Sequence, residues 1–241
     1  MAMQSGTCRL CLTTTQLCGS HVIPELCYEG TYDSKHRAKL MHASPNAERW
    51  VQKGLRENLL CSTCETRLSR TENWFKTFWW GPDGLPTNIQ SDLPVLSIPD
   101  MRQFHLFQLA ILWRASVATG KEWNTVSLGP YEEKIRQILL DPSQWSTGMY
   151  PVFVQALVDE NGDVVYGALG KPQQSQYGQS HVYYTLYAGA EFTVFVTESP
   201  DAELRKLLDE VYMSGDRIRL LRKDFRKSGT VLTWSRQRRE A

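Results

Sequence analysis

Net charge and long apolar runs are both scarce in this sequence. The 241 residues carry 27 Lys and Arg against 26 Asp and Glu, a formal net charge of +1. Attraction to nucleic acid would therefore have to come from local clusters of basic residues and not from the field of the whole protein. The longest apolar stretch, near residues 106–113, is too short and too interrupted to cross a bilayer, so no membrane association is predicted.

Targeting signals and several catalytic signatures are also missing from the sequence. Residues 1–7 are polar and lack the apolar segment of a secretory signal, which predicts a soluble cytoplasmic protein. The second half contains no nucleotide-binding glycine loop, no Ser-His-Asp pattern and no further metal signature. The candidate catalytic and metal-binding residues therefore lie in the first third of the chain.

The six cysteines all lie in the first 64 residues, and four of them form two Cys-x-x-Cys pairs. Two such pairs can supply four thiolates to a tetrahedral zinc ion, and paired cysteines in a chain without a secretion signal favour metal binding over disulfides. We predict a structural zinc, which by itself implies no activity, with Cys18 as an alternative ligand. The predicted ligands are Cys8, Cys11, Cys61 and Cys64.

Local patterns place the second cysteine pair at the start of a helix. The apolar spacing after Ser62 suits a helix, and the aromatic side chains at 74, 75, 78, 79 and 80 are predicted to dock it onto the second half. Before it, Ser44-Pro45 is typical of an N-cap and a first helical residue. That pattern predicts a short helix through Trp50 and Val51, ended by Gly54.

The segment Ser20-His21-Val22-Ile23-Pro24, followed by a helix that opens with the second cysteine pair, resembles the HNH, or His-Me finger, nucleases with a treble-clef zinc core. The resemblance covers roughly the first 80 residues. It implies His21 as the general base, Asn58 as the family's asparagine, and a catalytic magnesium or manganese ion near Glu65. Ser20 stands where the family has an aspartate ligand.

His21 and Glu65 also have ordinary structural explanations. A lone histidine is more often a hydrogen-bonded structural residue than a base, and a glutamate in a first helical turn is stabilised by the helix dipole. Some members of the family keep the zinc fold and no longer cut. The alternative function is therefore a non-catalytic zinc-finger module that binds nucleic acid or a protein.

Two basic segments could contact phosphates. One lies between residues 35 and 39, and the other is 215–241, which has nine basic and three acidic residues, or nine minus three, +6. Each could equally be a solvated face. If nucleic acid is the partner, we expect DNA more than RNA. The residues predicted to bind it are Lys35, Arg37, Lys39, Arg222, Lys223, Arg226 and Lys227.

The rest of the chain predicts an α+β fold, with helices packed on an antiparallel β-sheet. Helices are expected over 101–117 and 131–140, and from Ser199-Pro200-Asp201 through Tyr212. Strands are expected over 152–158 and 164–169, joined by an Asn-Gly turn, and over 181–187 and 190–197 about Gly189. The Gln- and Gly-rich 170–180 is predicted as a surface loop. Predicted domains are 1–80, a Pro-rich linker or arm 81–100, and 101–241.

Overall fold

The computed structural model describes residues 4–35, 37–40, 49–52, 54–91, 94–213 and 216–227, with only the backbone of 37–40 and 49–52. Within these ranges the chain forms an α+β fold, and none of its helices has the length and apolarity that spanning a bilayer requires. The α-helices are α1 (Ser62–Trp79), α2 (Met101–Val117), α3 (Tyr131–Leu140) and α4 (Ala202–Val211). The strands are β1 (Gln4–Thr7), β2 (Thr14–His21), β3 (Arg37–Leu40), β4 (Arg49–Gln52), β5 (Arg56–Cys61), β6 (Val95–Ser97), β7 (Val152–Val158), β8 (Gly170–Tyr177), β9 (Ser180–Tyr187), β10 (Ala190–Phe195), β11 (Arg217–Arg219) and β12 (Leu221–Asp224).

The N-terminal unit is a three-stranded antiparallel sheet, β1-β2-β5, continued by α1. Pairing of Leu17 with Cys61 and of His21 with Arg56 brings the two cysteine pairs into one place. Cys61 is extended and ends β5, and α1 begins at the next residue, as predicted. The helix buries one face, which includes Leu68, Phe75 and Trp79, because these residues recur at helical spacing.

The second half is built on a five-stranded sheet in the order β12-β7-β10-β9-β8. Its pairings are antiparallel except for β12 with β7. The hairpin between β9 and β10 turns at Ala188 and Gly189, which have φ of 49° and 79°. Two successive positive φ angles match the right-handed twist of the flanking strands, so the predicted turn about Gly189 is confirmed.

Three local predictions are wrong. Residues 170–177 form the edge strand β8 instead of a surface loop, because pairing with β9 outweighs the low β-propensity of the Gln- and Gly-rich sequence. Of the strand predicted over 164–169, only Val164 pairs, with Val158, before the chain leaves that edge. Trp50 and Val51 lie in β4, which pairs with β3, and not in a helix.

One hydrophobic core runs through all three predicted segments. Phe75 of α1 stacks on Phe107 of α2 with ring centroids 3.9 Å apart, and both helices pack against the inner face of the large sheet. The indole nitrogen of Trp79 donates to the carbonyl of Ala188, 2.9 Å away. The aromatic end of α1 therefore docks onto the second half, as predicted. A smaller core, with α4 on the outer face, contains Phe153, Val182, Phe195, Leu204 and Val211.

The proline-rich segment 81–100 packs along the second half. Leu85, Ile89 and Ile98 are buried, and the amide of Ile89 donates to the carbonyl of Gly162 over 2.8 Å. Within the segment, β6 pairs antiparallel with β11. Its four prolines limit regular secondary structure to one short strand among the described residues. Its apolar side chains still contribute to the core.

Arg114, fully buried near the end of α2, joins the two halves by hydrogen bonds. Its Nη2 donates to Glu72 Oε1 over 2.7 Å, and its Nη1 donates to the carbonyl of His21 over 2.9 Å. A buried guanidinium is stable only when its charge and its donors are matched in this way. Arg114 therefore connects α2 simultaneously to α1 and to the end of β2.

His105 is a buried histidine held in the neutral form. Its Nδ1 lies 2.8 Å from the carbonyl of Met101, and its Nε2 lies 3.3 Å from the hydroxyl of Tyr212. Burial lowers the pKa of His105 to about 4, because the charged imidazolium would lose its hydration.

We expect Arg114→Met to lower the free energy of unfolding by about 3 kcal/mol, because it leaves the Glu72 carboxylate and the His21 carbonyl without their donor. The control is Arg102→Met, which removes an exposed arginine of the same helix. It should change stability by less than about 0.5 kcal/mol. Urea denaturation measures both, and equal effects of the two variants would contradict the buried link.

The pH dependence of stability should report His105. The unfolded chain binds a proton near pH 6.5, whereas the folded chain binds it only near pH 4. The contribution of neutral His105 to the free energy of unfolding is therefore fully present above pH 6.5. It falls by about 1.4 kcal/mol per pH unit as the pH drops toward 4. Urea titrations at pH 6.5 and 5.0 should show His105→Gln losing about 2 kcal/mol less than wild type over that interval. Replacement of the exposed His181 by Gln should leave the wild-type pH dependence in place.

Candidate metal centre and the surroundings of His21

The first cysteine pair lies in a tight turn between β1 and β2. The amide of Cys8 donates to the carbonyl of Thr13 over 3.0 Å, and the amide of Leu12 donates to the carbonyl of Cys8 over 2.9 Å. Leu12 closes the turn with φ of 63°, a backbone conformation that is uncommon for a residue other than glycine. The amide of Arg9 donates to the carbonyl of Leu59, which ties the turn to β5.

The four predicted ligands converge. Their sulfur atoms all lie within 4.8 Å of one another, and the sulfurs of Cys11 and Cys61 are 3.9 Å apart. This is too long for a disulfide, and all the cysteines are free. A tetrahedral ion with metal–sulfur bonds of about 2.3 Å places its sulfurs about 3.8 Å apart. Cys8, Cys11, Cys61 and Cys64 could therefore hold a metal ion.

No further group of three or more His, Cys, Asp or Glu ligands comes together elsewhere in the described part of the chain. Cys18 and Cys27 lie outside the four-cysteine group. The alternative in which Cys18 replaces one of the four ligands therefore has no support from the geometry.

The protonation of the thiols depends on burial and on nearby N–H groups. Burial raises the pKa of Cys8, although amides including that of Cys61, 3.4 Å from its sulfur, oppose the change. Burial would also raise the pKa of Cys11. Hydrogen bonds to its sulfur, first among them that from the Thr13 hydroxyl, outweigh this effect and lower the pKa to about 6. Burial and the neighbouring sulfurs raise the pKa of Cys64. Because metal ligands must be thiolates, metal binding here would release protons.

His21 is the last residue of β2 and lies beside two charged side chains. Its Nε2 accepts a hydrogen bond from Arg56 Nε over 3.0 Å and lies 3.8 Å from Glu25 Oε2. The same carboxylate oxygen is 3.5 Å from Arg56 Nη2. His21 keeps 16% of its side chain exposed, whereas Arg56 and Glu25 keep 36% and 40%. The cluster therefore combines a proton acceptor with a partly exposed cation.

Sequence reasoning missed Arg56 and Glu25. Glu25 follows His21 by four residues in the turn after β2, so the spacing could have signalled it. Arg56 is 35 residues away in sequence, and only the register of β2 with β5 places it opposite His21.

Asn58 and Glu65 each have a buried oxygen that accepts no hydrogen bond from the described residues. Asn58 lies opposite Gly19, on the same side of the strand pair as Arg56, and its amide nitrogen donates to Gln4 over 3.1 Å. Glu65 lies in the first turn of α1. A buried acceptor without a donor costs about 1–3 kcal/mol, and a bound cation or water would relieve that cost. Both oxygens therefore suit a hard divalent cation.

The two ends of β5 separate these groups. His21 lies opposite Arg56 at the first residue of β5, whereas Glu65 follows Cys61 at the last, a span of about 16 Å along the strand. The helix then runs back, since Glu72 and the carbonyl of His21 share Arg114. Glu65 and Glu72 lie on one face of α1, about 10 Å apart along its axis.

Ser20 is part of the strand pair itself. It is 1% exposed, and its hydroxyl accepts a hydrogen bond from the amide of Leu60 over 3.2 Å. The oxygen at the position of the family's aspartate thus stabilises the pairing of β2 with β5.

The predicted nucleic-acid-binding residues differ in how far their charge is available. Lys223 forms an ion pair of 2.7 Å with the buried Glu191, so its ammonium is compensated within the sheet. Arg226 makes two hydrogen bonds of 3.0 Å to Asp224. Lys35 and Lys227 are exposed, and Arg222 is half-buried. The side chains of Arg37 and Lys39 lie outside the described part of the structure.

No protein-family model matches this chain, and no curated protein or solved structure matches it either. The functional conclusion therefore depends on the geometry of the cysteine group and of the surroundings of His21.

We expect purified wild-type protein to contain one metal ion per chain and Cys64→Ser to contain none. Three thiolate ligands bind a metal ion less tightly than four. Because structural zinc contributes an apparent binding free energy of about 10–16 kcal/mol, loss of the ion would also loosen the N-terminal unit. Elemental analysis and tryptophan fluorescence measure the two effects. Cys18→Ser is the matched control, since it removes a neighbouring thiol outside the group and should retain the metal. A folded wild type free of metal would contradict the assignment.

Proposed function

We propose that this protein is an HNH-type, metal-dependent endonuclease whose N-terminal unit is a treble-clef zinc finger. The order of a cysteine turn, a strand pair and a helix that begins at the second cysteine pair supports the treble-clef assignment. Zinc fits the site because four thiolates in a tetrahedral arrangement are its usual structural ligands. A zinc ion held by these cysteines would keep β2, β5 and α1 together and would take no part in the chemistry.

The observation that carries the proposal is the position of His21. Its Nε2 lies at a partly exposed end of the strand pair, 3.0 Å from the guanidinium nitrogen of Arg56. A histidine can accept a proton near neutral pH, and an arginine is well suited to phosphate oxygens. The pair thus offers a base and a phosphate-binding group within a few ångströms.

The proposed reaction is hydrolysis of a phosphodiester. When substrate arrives, Arg56 turns from His21 to a non-bridging phosphate oxygen, which frees Nε2. His21 then takes a proton from a water molecule, whose oxygen forms the new bond to phosphorus while the bridging P–O bond breaks. The leaving oxygen departs with the bonding electron pair and takes a proton from solvent, and His21 later releases its own proton to solvent.

Glu65 and Asn58 are the residues that would hold a magnesium or manganese ion, because their buried oxygens lack donors among the described residues. Because Glu65 follows the end of β5 opposite to the one that carries Arg56 and His21, such an ion would bind phosphate oxygens away from the phosphorus attacked at His21. Glu25, 3.5 Å from Arg56, helps to hold the guanidinium beside His21 in the resting arrangement.

A second candidate is a zinc-finger module that binds nucleic acid without cutting it. Two observations favour it. The hydroxyl of Ser20 is engaged by Leu60 and provides no aspartate-like ligand, and the Nε2 of His21 is already hydrogen-bonded to Arg56. The exposed Lys35 and Lys227 would then contact phosphates.

The test is cleavage of supercoiled plasmid DNA and of a structured RNA with added Mg²⁺ or Mn²⁺. We expect wild type to cut, DNA more readily than RNA, and His21→Ala to cut about 10²–10⁴-fold more slowly, because a general base contributes that much. His181→Ala removes an exposed histidine and is the matched control. The metal content of each variant shows whether the N-terminal unit is intact.

Equal cleavage by wild type and His21→Ala would refute the nuclease proposal. Absence of cleavage, together with DNA binding that weakens steeply as monovalent salt rises, would instead establish the binding module.

A further inference from the structure

Arg136 reaches the cysteine turn from the second half of the chain. It lies on α3, is 9% exposed, and its Nη1 donates a hydrogen bond to the carbonyl of Leu10. Leu10 is fully buried and stands between Cys8 and Cys11. A buried carbonyl without a donor would be costly, so this contact fixes the turn that carries two of the four ligands.

The guanidinium of Arg136 is itself held in place. Its Nε and Nη2 each make a hydrogen bond of 2.7 Å to the Glu133 carboxylate, one turn earlier on α3. Gln137 Nε2 donates to the same carboxylate over 2.7 Å. Two donor nitrogens of Arg136 are thus used in a fixed fork, which leaves Nη1 aimed at the turn.

The charge of Arg136 also suits its position. Four thiolates around a divalent cation carry a net charge of −2, and the environment is largely buried. The Arg136 guanidinium contacts the carbonyl of Leu10, which stands between Cys8 and Cys11, so its positive charge lies beside the turn that carries two of the ligands. An arginine remains protonated at any pH at which the protein folds, so its charge is always present beside the turn, and the Glu133 carboxylate compensates part of it.

We propose that Arg136 is a positioning residue of the metal centre, which orients the Cys8–Cys11 turn through the carbonyl of Leu10 and offsets part of the thiolate charge. This inference rests on the metal centre of the proposed function and is independent of whether the protein cuts nucleic acid. It also means that the second half of the chain contributes to metal affinity.

Metal affinity and metal release test the proposal in the full-length protein. Zinc would be competed with a chromogenic chelator for wild type, Arg136→Lys and Arg136→Gln, and the Co²⁺-loaded forms would be compared by their thiolate charge-transfer spectra. We expect Arg136→Gln to weaken affinity about 10–100-fold, as is usual when a partner of the ligand loop is lost. Arg136→Lys should fall between it and wild type, because it keeps the charge but lacks the fork. If Arg136→Gln does not fold, Arg136→Lys carries the test.

Two controls separate the proposed role from a general loss of stability. Glu133→Gln keeps the guanidinium but removes the carboxylate that holds it in place, so it should weaken metal affinity less than Arg136→Gln does. Arg219→Gln removes another arginine-to-carbonyl bond, to Glu210, away from the cysteines, and should have no effect.

Affinities of both Arg136 variants within about twofold of wild type, or an equal loss in Arg219→Gln, would overturn the proposal while leaving the metal centre intact. A wild type that binds neither Zn²⁺ nor Co²⁺ would overturn both. Cleavage assays do not enter this test, so failure of the nuclease proposal would be seen separately.

Discussion

The convergence of four cysteine sulfurs within 4.8 Å is the constraint on which the rest of the structure depends. This convergence fixes where β2, β5 and α1 meet. Two of the sulfurs come from the turn before β2, and two come from the junction of β5 with α1. The segment between the pairs buries side chains such as Val22, Ile23 and Leu60 in the core that it shares with the second half, and it has no separate core among the described residues. A metal cross-link is therefore the natural way to hold the strand pair, and with it His21, in a defined place.

Buried arginines extend this constraint into the second half. Arg114 of α2 donates to the carbonyl of His21, and Arg136 of α3 donates to the carbonyl of Leu10. The Glu57 carboxylate on β5 in turn accepts hydrogen bonds from the amides at 119 and 120, just after α2. Each link satisfies a backbone group, and the carbonyl of the fully buried Leu10 would otherwise lack a partner. The N-terminal unit and the large sheet are thus joined by polar contacts as well as by the shared aromatic core.

The chemistry available at His21 follows from this framework. Pairing of β2 with β5 sets a base against Arg56 at a partly exposed edge, while the same pairing uses the hydroxyl of Ser20 internally. Two neighbouring residues of β2 thus differ in their surroundings. His21 is partly exposed beside Arg56, whereas the hydroxyl of Ser20 is buried and hydrogen-bonded to β5. The distinction arises from strand alternation, since neighbouring residues point to opposite faces.

The sequence by itself determined which four cysteines come together, the helices α1 to α4 and the hairpin about Gly189. These features are encoded within a few residues, by cysteine spacing, apolar periodicity, N-caps and a glycine at positive φ. Only the tertiary structure decided that the Gln-rich 170–177 is a strand, that Arg56 faces His21, and that Arg136 supports the cysteine turn. In each case the partner lies far away in the chain, across a sheet register or a helix contact. Such a partner leaves no periodicity or spacing signal in the sequence, because the energy that selects it arises only when the chain is folded.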